Sequence, residues 1–339
     1  MTLKKNIKTG TLLGSAVAGI VGSGWLLGPM VCAKMAGPAA SITWIIAGLL
    51  MMIVAASFVL LTRATPVTGG TVRFFQLYYG HFAGFSFAWV AWLAWVAVPP
   101  IETMALIQYS TNYLPSLMTH GVSPVLTARG VEVAVALMIV ITMINGFGVH
   151  VYGKINTVIV LFKLCIPVAT AAILLSSHPH FNNFNVGGSF MPNGIKSLFS
   201  ALPLAGVIYS FIGFNPVIQL AAESKTPGKS IPIAIFGALG ICMVLYTLVQ
   251  VAFIVALPPG ALQHGWSAIE FANDHGPFVG LLAGIGFIWF VKALYVDAVI
   301  SPFGTGMVQS MATSRLTYAM GQNGYFSRRF LILNKHHAP

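Results

Sequence analysis

Three stretches of this 339-residue chain, 9–33, 35–62 and 74–101, contain no Asp, Glu, Lys or Arg. Each exceeds the roughly 20 apolar residues that cross the hydrocarbon core of a bilayer as one helix. Soluble domains carry about 25% charged residues; this chain carries 7%, against 57% hydrophobic residues. So few charges cannot cover a water-exposed surface. The pattern excludes an ordinary cytosolic enzyme, a disordered chain and a secreted disulfide scaffold, and leaves an all-α polytopic membrane protein. No cleavage region follows the first apolar run, so it reads as a retained helix.

Apolar patterning predicts eight spans, near 12–33, 40–62, 80–101, 131–149, 155–176, 197–222, 231–257 and one beginning near 278. The third is expected to continue past Glu102 toward Tyr113, and the eighth to stay helical beyond Asp297. Basic residues then set orientation. With the N-terminus in the cytoplasm, the inner loops hold twelve Lys or Arg and the outer loops three: Lys34, Arg129 and Lys196. Short basic loops resist translocation, so this bias predicts a cytoplasmic N-terminus and, after eight spans, a cytoplasmic C-terminus. It also accounts for the net charge of +11 without a nucleic-acid partner.

The outer connectors are 177–196 and 258–277. His178 and His180 in the first lack a carboxylate or cysteine neighbour, so a solvated loop is preferred to a metal site. The second, with Trp266, Glu270 and Asp274, has room for a short helix over the outer face. Cys32, Cys165 and Cys242 sit in apolar runs without paired spacing and read as small buried hydrophobes. Trp89, Trp92 and Trp95, three residues apart, read as a packing stripe or interfacial belt, and His81 as interfacial. No cofactor and no metal are expected.

Two spans are rich in helix breakers. The first reads Gly19-Ile20-Val21-Gly22-Ser23-Gly24-Trp25, then Pro29; the sixth reads Tyr209-Ser210-Phe211-Ile212-Gly213-Phe214-Asn215-Pro216. Glycine costs a helix about 1 kcal/mol and proline about 3. For the first span alone, Gly10, Gly14, Ala18 and Gly22 at four-residue spacing also make a small-residue packing face. Two interrupted spans five helices apart favour a different reading. Unwound backbone survives in lipid only where it lines a cavity, and matched breaks in two halves point to an inverted-repeat transporter with a midplane site.

Gly19 to Trp25 resembles the first-helix G-x-x-G-S-G motif of the amino acid–polyamine–organocation transporters. Pro66-Val67-Thr68-Gly69-Gly70 resembles that family's turn between helices two and three, and Tyr209 to Phe214 its broken sixth helix. Glu223-Ser224-Lys225-Thr226-Pro227, with Ile231-Pro232, is similar to the E-x-K-x-P segment that follows. Ser314-Arg315-Leu316-Thr317-Tyr318-Ala319-Met320, with Gly324, is similar to the segment after helix eight. The five motifs stand in family order along nearly the whole chain.

The resemblance implies a LeuT-type inverted-repeat fold within one membrane domain, 1–339. The first five-helix repeat would occupy 12–176. A partial second repeat, helices six to eight, would occupy 197–320, and a cytoplasmic tail 321–339. The family usually has twelve spans, so the expectation is an incomplete fold of about eight. The substrate site would be backbone: Gly22, Ser23 and Gly24 with Ser210 and Gly213 at the breaks, the N–H groups of Ser23 and Gly24 facing a substrate carboxylate. The carbonyls of Ile20, Tyr209 and Ile212 would face its ammonium, with Tyr209 as an aromatic lid or an ordinary wall. Helix N-termini suit anions in this way.

Charge inside a span is costly and reads as functional, with snorkelling as the alternative. Lys163, Glu102, Lys292 and Asp297 are the cases here. Lys163 resembles the helix-five lysine that occupies a sodium position near helices one and eight in some family members. There a protonated amine stands in for the cation and gives up its proton during the cycle; a static structural cation is the other reading. Glu102 and Asp297 are possible pocket residues, and Lys292 has no assigned partner.

The functional expectation is secondary active transport of amino acids across the plasma membrane. Proton-coupled symport leads, with small-molecule amino acids or amines, a proton and membrane lipid as partners. Exchange of amino acids or amines, or a non-transporting truncated permease fragment that is inert or associates with another permease, is the alternative. A membrane-embedded enzyme has no metal cluster, Ser-His-Asp set or paired carboxylates to support it.

Overall fold

The computed structural model describes residues 5–111, 113–119, 124–177, 179–271, 276–336 and 338–339. Lys4, His178 and Asp274 lie outside the described residues. The described elements are helices and short helical turns: α1 (Thr9–Ile20), α2 (Gly28–Ala36), α3 (Ala40–Ala64), α4 (Gly70–Val96), α5 (Val98–Ser110) and α6 (Ala128–Gly146). Then follow α7 (Val149–Ser176), α8 (Gly194–Leu204), α9 (Asn215–Gln219), α10 (Pro227–Ala256), α11 (Pro277–Gly284) and α12 (Ile288–Gln322).

By length and composition, five helical stretches can cross a membrane: Gly28–Ala64, Gly70–Ser110, Ala128–Gly146, Val151–Ser176 and Pro227–Ala256. The pair Gly194–Leu204 and Tyr209–Gln219, bent by 43°, gives a sixth. The difference from eight expected spans has two causes. The first span is divided, so α1 is short and α2 runs almost directly into α3. The eighth buries Asp297, Ser301, Thr305, Gln309 and Arg315, which lowers its apolarity. Large apolar side chains face outward on several helices, among them Ile53, Leu60, Phe82, Val158 and Val244. In water this belt would be untenable; against acyl chains it is the expected surface of a multi-pass membrane protein.

Three sequence expectations change. The third span begins at Gly70, not near 80, with its helical geometry broken at Gly80 (φ 82°); Arg73 and Gln76 in its first turns mask the start. It continues through α5 to Ser110. The eighth begins at Ile288, because Gly286 (φ 84°) separates α11 from α12. Cys165 is exposed on α7, while Cys32 and Cys242 are buried; an apolar run in lipid has an outward face as well as an inward one.

The core forms where α1, α3, α7, α10 and α12 meet. The Trp44 indole of α3 donates to Gln250 Oε1 of α10 (2.8 Å), and Gln250 Nε2 donates to the Pro29 carbonyl of α2 (3.1 Å). The Tyr152 hydroxyl of α7 donates to Ser15 Oγ of α1 (2.9 Å). Such bonds satisfy polar groups that lipid cannot. Gly69, at φ 64°, turns the chain into α4 with Ala319 of α12 where a Cβ would sit, so the turn demands glycine. Trp92 donates to Thr317 Oγ1 (2.9 Å) and packs edge-on to Phe326; the tryptophan stripe docks α4 on the end of α12. His81 is exposed beside Tyr325.

The two chain ends lie at the same end of the bundle. The Ile7 N–H donates to the Glu223 carbonyl (3.0 Å) and the Lys225 N–H to the Ile7 carbonyl (3.1 Å). Asn334 Nδ2 donates to the Gly146 carbonyl (2.7 Å). At the opposite end, Asn183 Nδ2 pins the 177–196 connector to the Ile254 and Leu257 carbonyls (2.9 Å each). The 258–277 connector folds into short turns at Pro259–Leu262 and Trp266–Ala268, with Trp266 buried.

Candidate functional site

The first glycine-rich segment is a broken helix; the second, Tyr209–Pro216, is helical, and the interruption lies just before it. α1 ends at Ile20; Val21 and Gly22 are extended, and a single turn, Ser23–Leu26, leads into α2. α8 ends at Leu204; the chain turns at Gly206 (φ 73°) and resumes as Tyr209–Phe214 and then α9. The two breaks cross at Gly19 and Gly213. A Cβ on Gly213 would lie inside the Gly19 backbone, and one on Gly19 against the Gly213 carbonyl. Only a glycine pair allows this approach.

A cavity of about 380 Å³ opens beside the crossing, within the range of small-ligand sites. Its walls include Gly19, Ile20, Gly22 and Gly24 from the first break and Tyr209, Ser210, Ile212 and Gly213 from the second. Trp95, Val98 and Glu102 of α4 and α5, Gly206 after α8, Tyr246 of α10, and Thr305 and Gln309 of α12 complete it. At the start of the Ser23–Leu26 turn, the N–H groups of Ser23 and Gly24 have no carbonyl one turn earlier to bond, and Gly24 faces open space. Tyr209 is 62% exposed.

Two of the three expected carbonyls already accept bonds from within the protein. Ile20 already accepts from the Gly22 N–H (3.0 Å) and the Tyr246 hydroxyl (2.9 Å). Ile212 accepts from both the N–H and the side-chain amide of Asn215. Each carbonyl has two lone pairs, so a bound ammonium would share these acceptors with Tyr246 and Asn215. The cause is local: Tyr246 and Asn215 supply donors that the motif segments do not reveal.

Lys163 stands midway along α7 with no exposed surface. Its Nζ donates to the Ala18 carbonyl (2.7 Å), the Val21 carbonyl (2.5 Å) and Thr305 Oγ1 (2.8 Å). It thus joins the unwound end of α1 to α12. An ammonium has three donors, and all three are used. Thr305 was not singled out by sequence; its place four residues before Gln309 on the inner face of α12 was the available signal.

Glu102 lines the cavity, with Oε1 over Gly22. Asp297 does not. It is buried behind the first break, accepting from the Trp25 indole (3.0 Å), because the Ser23–Leu26 turn carries Trp25 onto α12. Lys292 is exposed and, among the described residues, forms no ion pair.

A second polar cluster joins two of the motifs. Arg315 and Glu223 form a bidentate pair, Nε to Oε1 2.8 Å and Nη2 to Oε2 3.4 Å, with both side chains almost wholly buried. It ties α12 to the segment after α9, beside the Ile7 contact.

A family model described as amino acid permease matches residues 7–339. The chain is 37% identical over 335 residues to the glutamate/serine transporter AimA of Bacillus subtilis (strain 168), covering 97% of this chain and 61% of that protein. It is 32% identical over 334 residues to the aspartate-proton symporter of the same organism, covering 98% and 63%. Its gamma-aminobutyric acid permease is 27% identical over 352 residues, covering 99% and 69%. The chain therefore spans 61% and 63% of the length of the first two relatives.

Proposed function

The chain belongs to the amino acid permease family, and from that premise we propose that it carries out secondary active transport of amino acids across the plasma membrane. The cavity at the Gly19–Gly213 crossing holds the substrate, its carboxylate on the Ser23 and Gly24 N–H groups. Transport is proton-coupled through Lys163. The helices carrying the two breaks, with α3 and α10, rock against a scaffold of α4–α6 and α12. Segments 12–176 and 197–320 act as one full and one partial inverted repeat, with the N-terminus and the tail 321–339 in the cytoplasm. No catalytic step is involved.

The observation that carries this reading is Lys163 Nζ bridging the Ala18 and Val21 carbonyls to Thr305. A cation there locks the unwound helix to the scaffold, and its loss frees the two. Relatives named for aspartate and for proton symport and for glutamate and serine support the substrate class and the coupling. Among the described lining residues there is no Lys, Arg or His, and Lys163 has no donor to spare. We therefore place small neutral amino acids ahead of acidic ones.

The test is uptake of labelled L-serine into proteoliposomes under an inward proton gradient. Gradient-dependent uptake is expected, competed by L-alanine at least tenfold better than by L-glutamate. Lys163→Ala is expected to abolish the gradient dependence. Unchanged uptake and unchanged pH dependence in that variant would remove the coupling role.

A further inference from the structure

We propose that Asp297 delivers the coupling proton to Lys163 along one face of α12, through the Ser301 hydroxyl. This rests on the proton-coupled transport reading above and adds a second proton-carrying group to it.

Asp297 lies behind the first break with no exposed surface. Its Oδ2 accepts from the Trp25 indole (3.0 Å), while Oδ1 is buried without a partner. Among the described residues the carboxylate forms no ion pair, since Lys163 commits its three donors to Ala18, Val21 and Thr305. A carboxylate so placed inside a membrane helix is costly and marks a proton or ion pathway. The structural alternative is that Asp297 only anchors Trp25. That role uses one oxygen and leaves a buried, unpaired Oδ1 unexplained.

A hydroxyl in the same condition follows one turn later. Ser301 is fully buried, and its Oγ also has no partner. Thr305 comes another turn on and accepts from Lys163 Nζ (2.8 Å). Residues four apart share a helix face, so α12 carries a carboxylate, an unpartnered hydroxyl and the Lys163 contact in order along one side, over about 12 Å. Gly304 lets the amine reach this side: a Cβ there would lie 3.1 Å from Lys163 Cε. Lys163 is the charged group acting on Asp297, and it also feels Glu102 of α5, in the cavity wall, and Cys242 of α10. Asp297 stands nearer than Thr305 to the end closed by the 258–277 connector. The proposed orientation makes that end extracellular, so the row runs in the direction an inward gradient drives protons.

The step balances without a further reactant. An O–H bond breaks at Asp297, Ser301 accepts that proton as it passes its own on, and an N–H bond forms on a neutral Lys163 amine. Substrate is linked to the step through Trp25. Its indole belongs to the same Ser23–Leu26 turn that receives the substrate carboxylate in the transport reading. A hydrogen bond to an ionised carboxylate is roughly twice as strong as one to a neutral group, so protonation of Asp297 loosens the turn.

The full chain is reconstituted in proteoliposomes, and two rates are measured with labelled L-serine: uptake driven by an inward proton gradient, and counterflow against internal unlabelled L-serine without a gradient. Counterflow returns the loaded carrier and needs no net proton release. Asp297→Asn, whose amide oxygen still accepts from Trp25, is expected to lose gradient-driven uptake and keep counterflow. Asp297→Glu, which keeps the acid, should retain a gradient-driven component. Ser301→Ala should slow gradient-driven uptake about tenfold or more, and Ser301→Thr, which keeps the hydroxyl, should restore it. Wild-type gradient-driven uptake in either Asp297→Asn or Ser301→Ala would overturn the proposal and leave the transport reading standing. Loss of counterflow together with uptake in a folded Asp297→Asn would also overturn it, making Asp297 a structural anchor. Should Asp297→Asn fail to fold, the comparison of Ser301→Ala with Ser301→Thr decides. Absence of counterflow in the wild-type chain would overturn the transport reading and this proposal with it.

Discussion

At the scale of single residues, the site depends on what is missing from a side chain. A methyl group at Gly213 would enter the Gly19 backbone, while one at Gly24 meets nothing within 4 Å. Backbone on both sides of the crossing cannot yield as a side chain could. Gly213→Ala is therefore expected to destabilise the protein by about 1–3 kcal/mol and to abolish amino acid binding, whereas Gly24→Ala should stay within about 0.5 kcal/mol of wild type. Thermal unfolding in detergent, followed by calorimetric titration, checks both. Lys163 gives the opposite case, a side chain whose every donor is used. Lys163→Met removes the donor from two buried carbonyls and Thr305 at once, for a loss of about 1–3 kcal/mol in the same unfolding assay. Wild-type stability in that variant would mean the bridge contributes nothing.

At the scale of elements, the Arg315–Glu223 pair joins α12 to the segment after α9, and the Ile7 strap lies against it. Removing one partner of a buried pair leaves a bare charge, so Glu223→Gln should cost about 3–5 kcal/mol, while Glu223→Leu combined with Arg315→Met should cost much less. A double-mutant cycle by thermal unfolding measures the difference. This pair also shows how far the sequence could be read. Glu223 and Arg315 each stood inside a recognisable motif, yet nothing in one dimension said that the motifs touch. The break at Val21–Gly22 was legible because glycine carries a local cost that no contact is needed to see; the second, expected within Tyr209–Pro216, lies upstream at Gly206, where one glycine outside the motif turns the chain. Lys163 was legible because charge in an apolar run is rare. Gln309, Thr305 and Tyr246 were not, since polar and aromatic residues on a buried helix face look the same from sequence whether they fill a core or line a cavity. Asp297 was misplaced for that reason: its burial was predictable, and its partner Trp25 arrives only once the Ser23–Leu26 turn is built. The start of α4 was hidden by Arg73 and Gln76, which belong to a helix end outside the apolar layer.

At the scale of the whole molecule, two independent arguments meet. The apolar belt of outward side chains sets the layer in which the protein sits, and the position of the chain ends sets its polarity. Ile7, Gly146, Glu223 and Asn334 are joined at one end, while the Asn183 and Trp266 connectors close the other. In the orientation proposed above, the twelve-to-three distribution of basic residues puts the first end in the cytoplasm, since short basic loops resist translocation. Lys8, Lys335 and Lys196 are all exposed, so each accepts a cysteine without disturbing the core. With Cys165 first changed to Ser and Cys32 and Cys242 buried, the single-cysteine reporters are clean. In intact cells a membrane-impermeant maleimide is expected to label Lys196→Cys and to leave Lys8→Cys and Lys335→Cys unlabelled until the membrane is permeabilised. Labelling of Lys8→Cys in intact cells, with Lys196→Cys protected, would invert the protein. Labelling of only one of Lys8→Cys and Lys335→Cys would mean that an odd number of spans separates ends that the fold brings to one side.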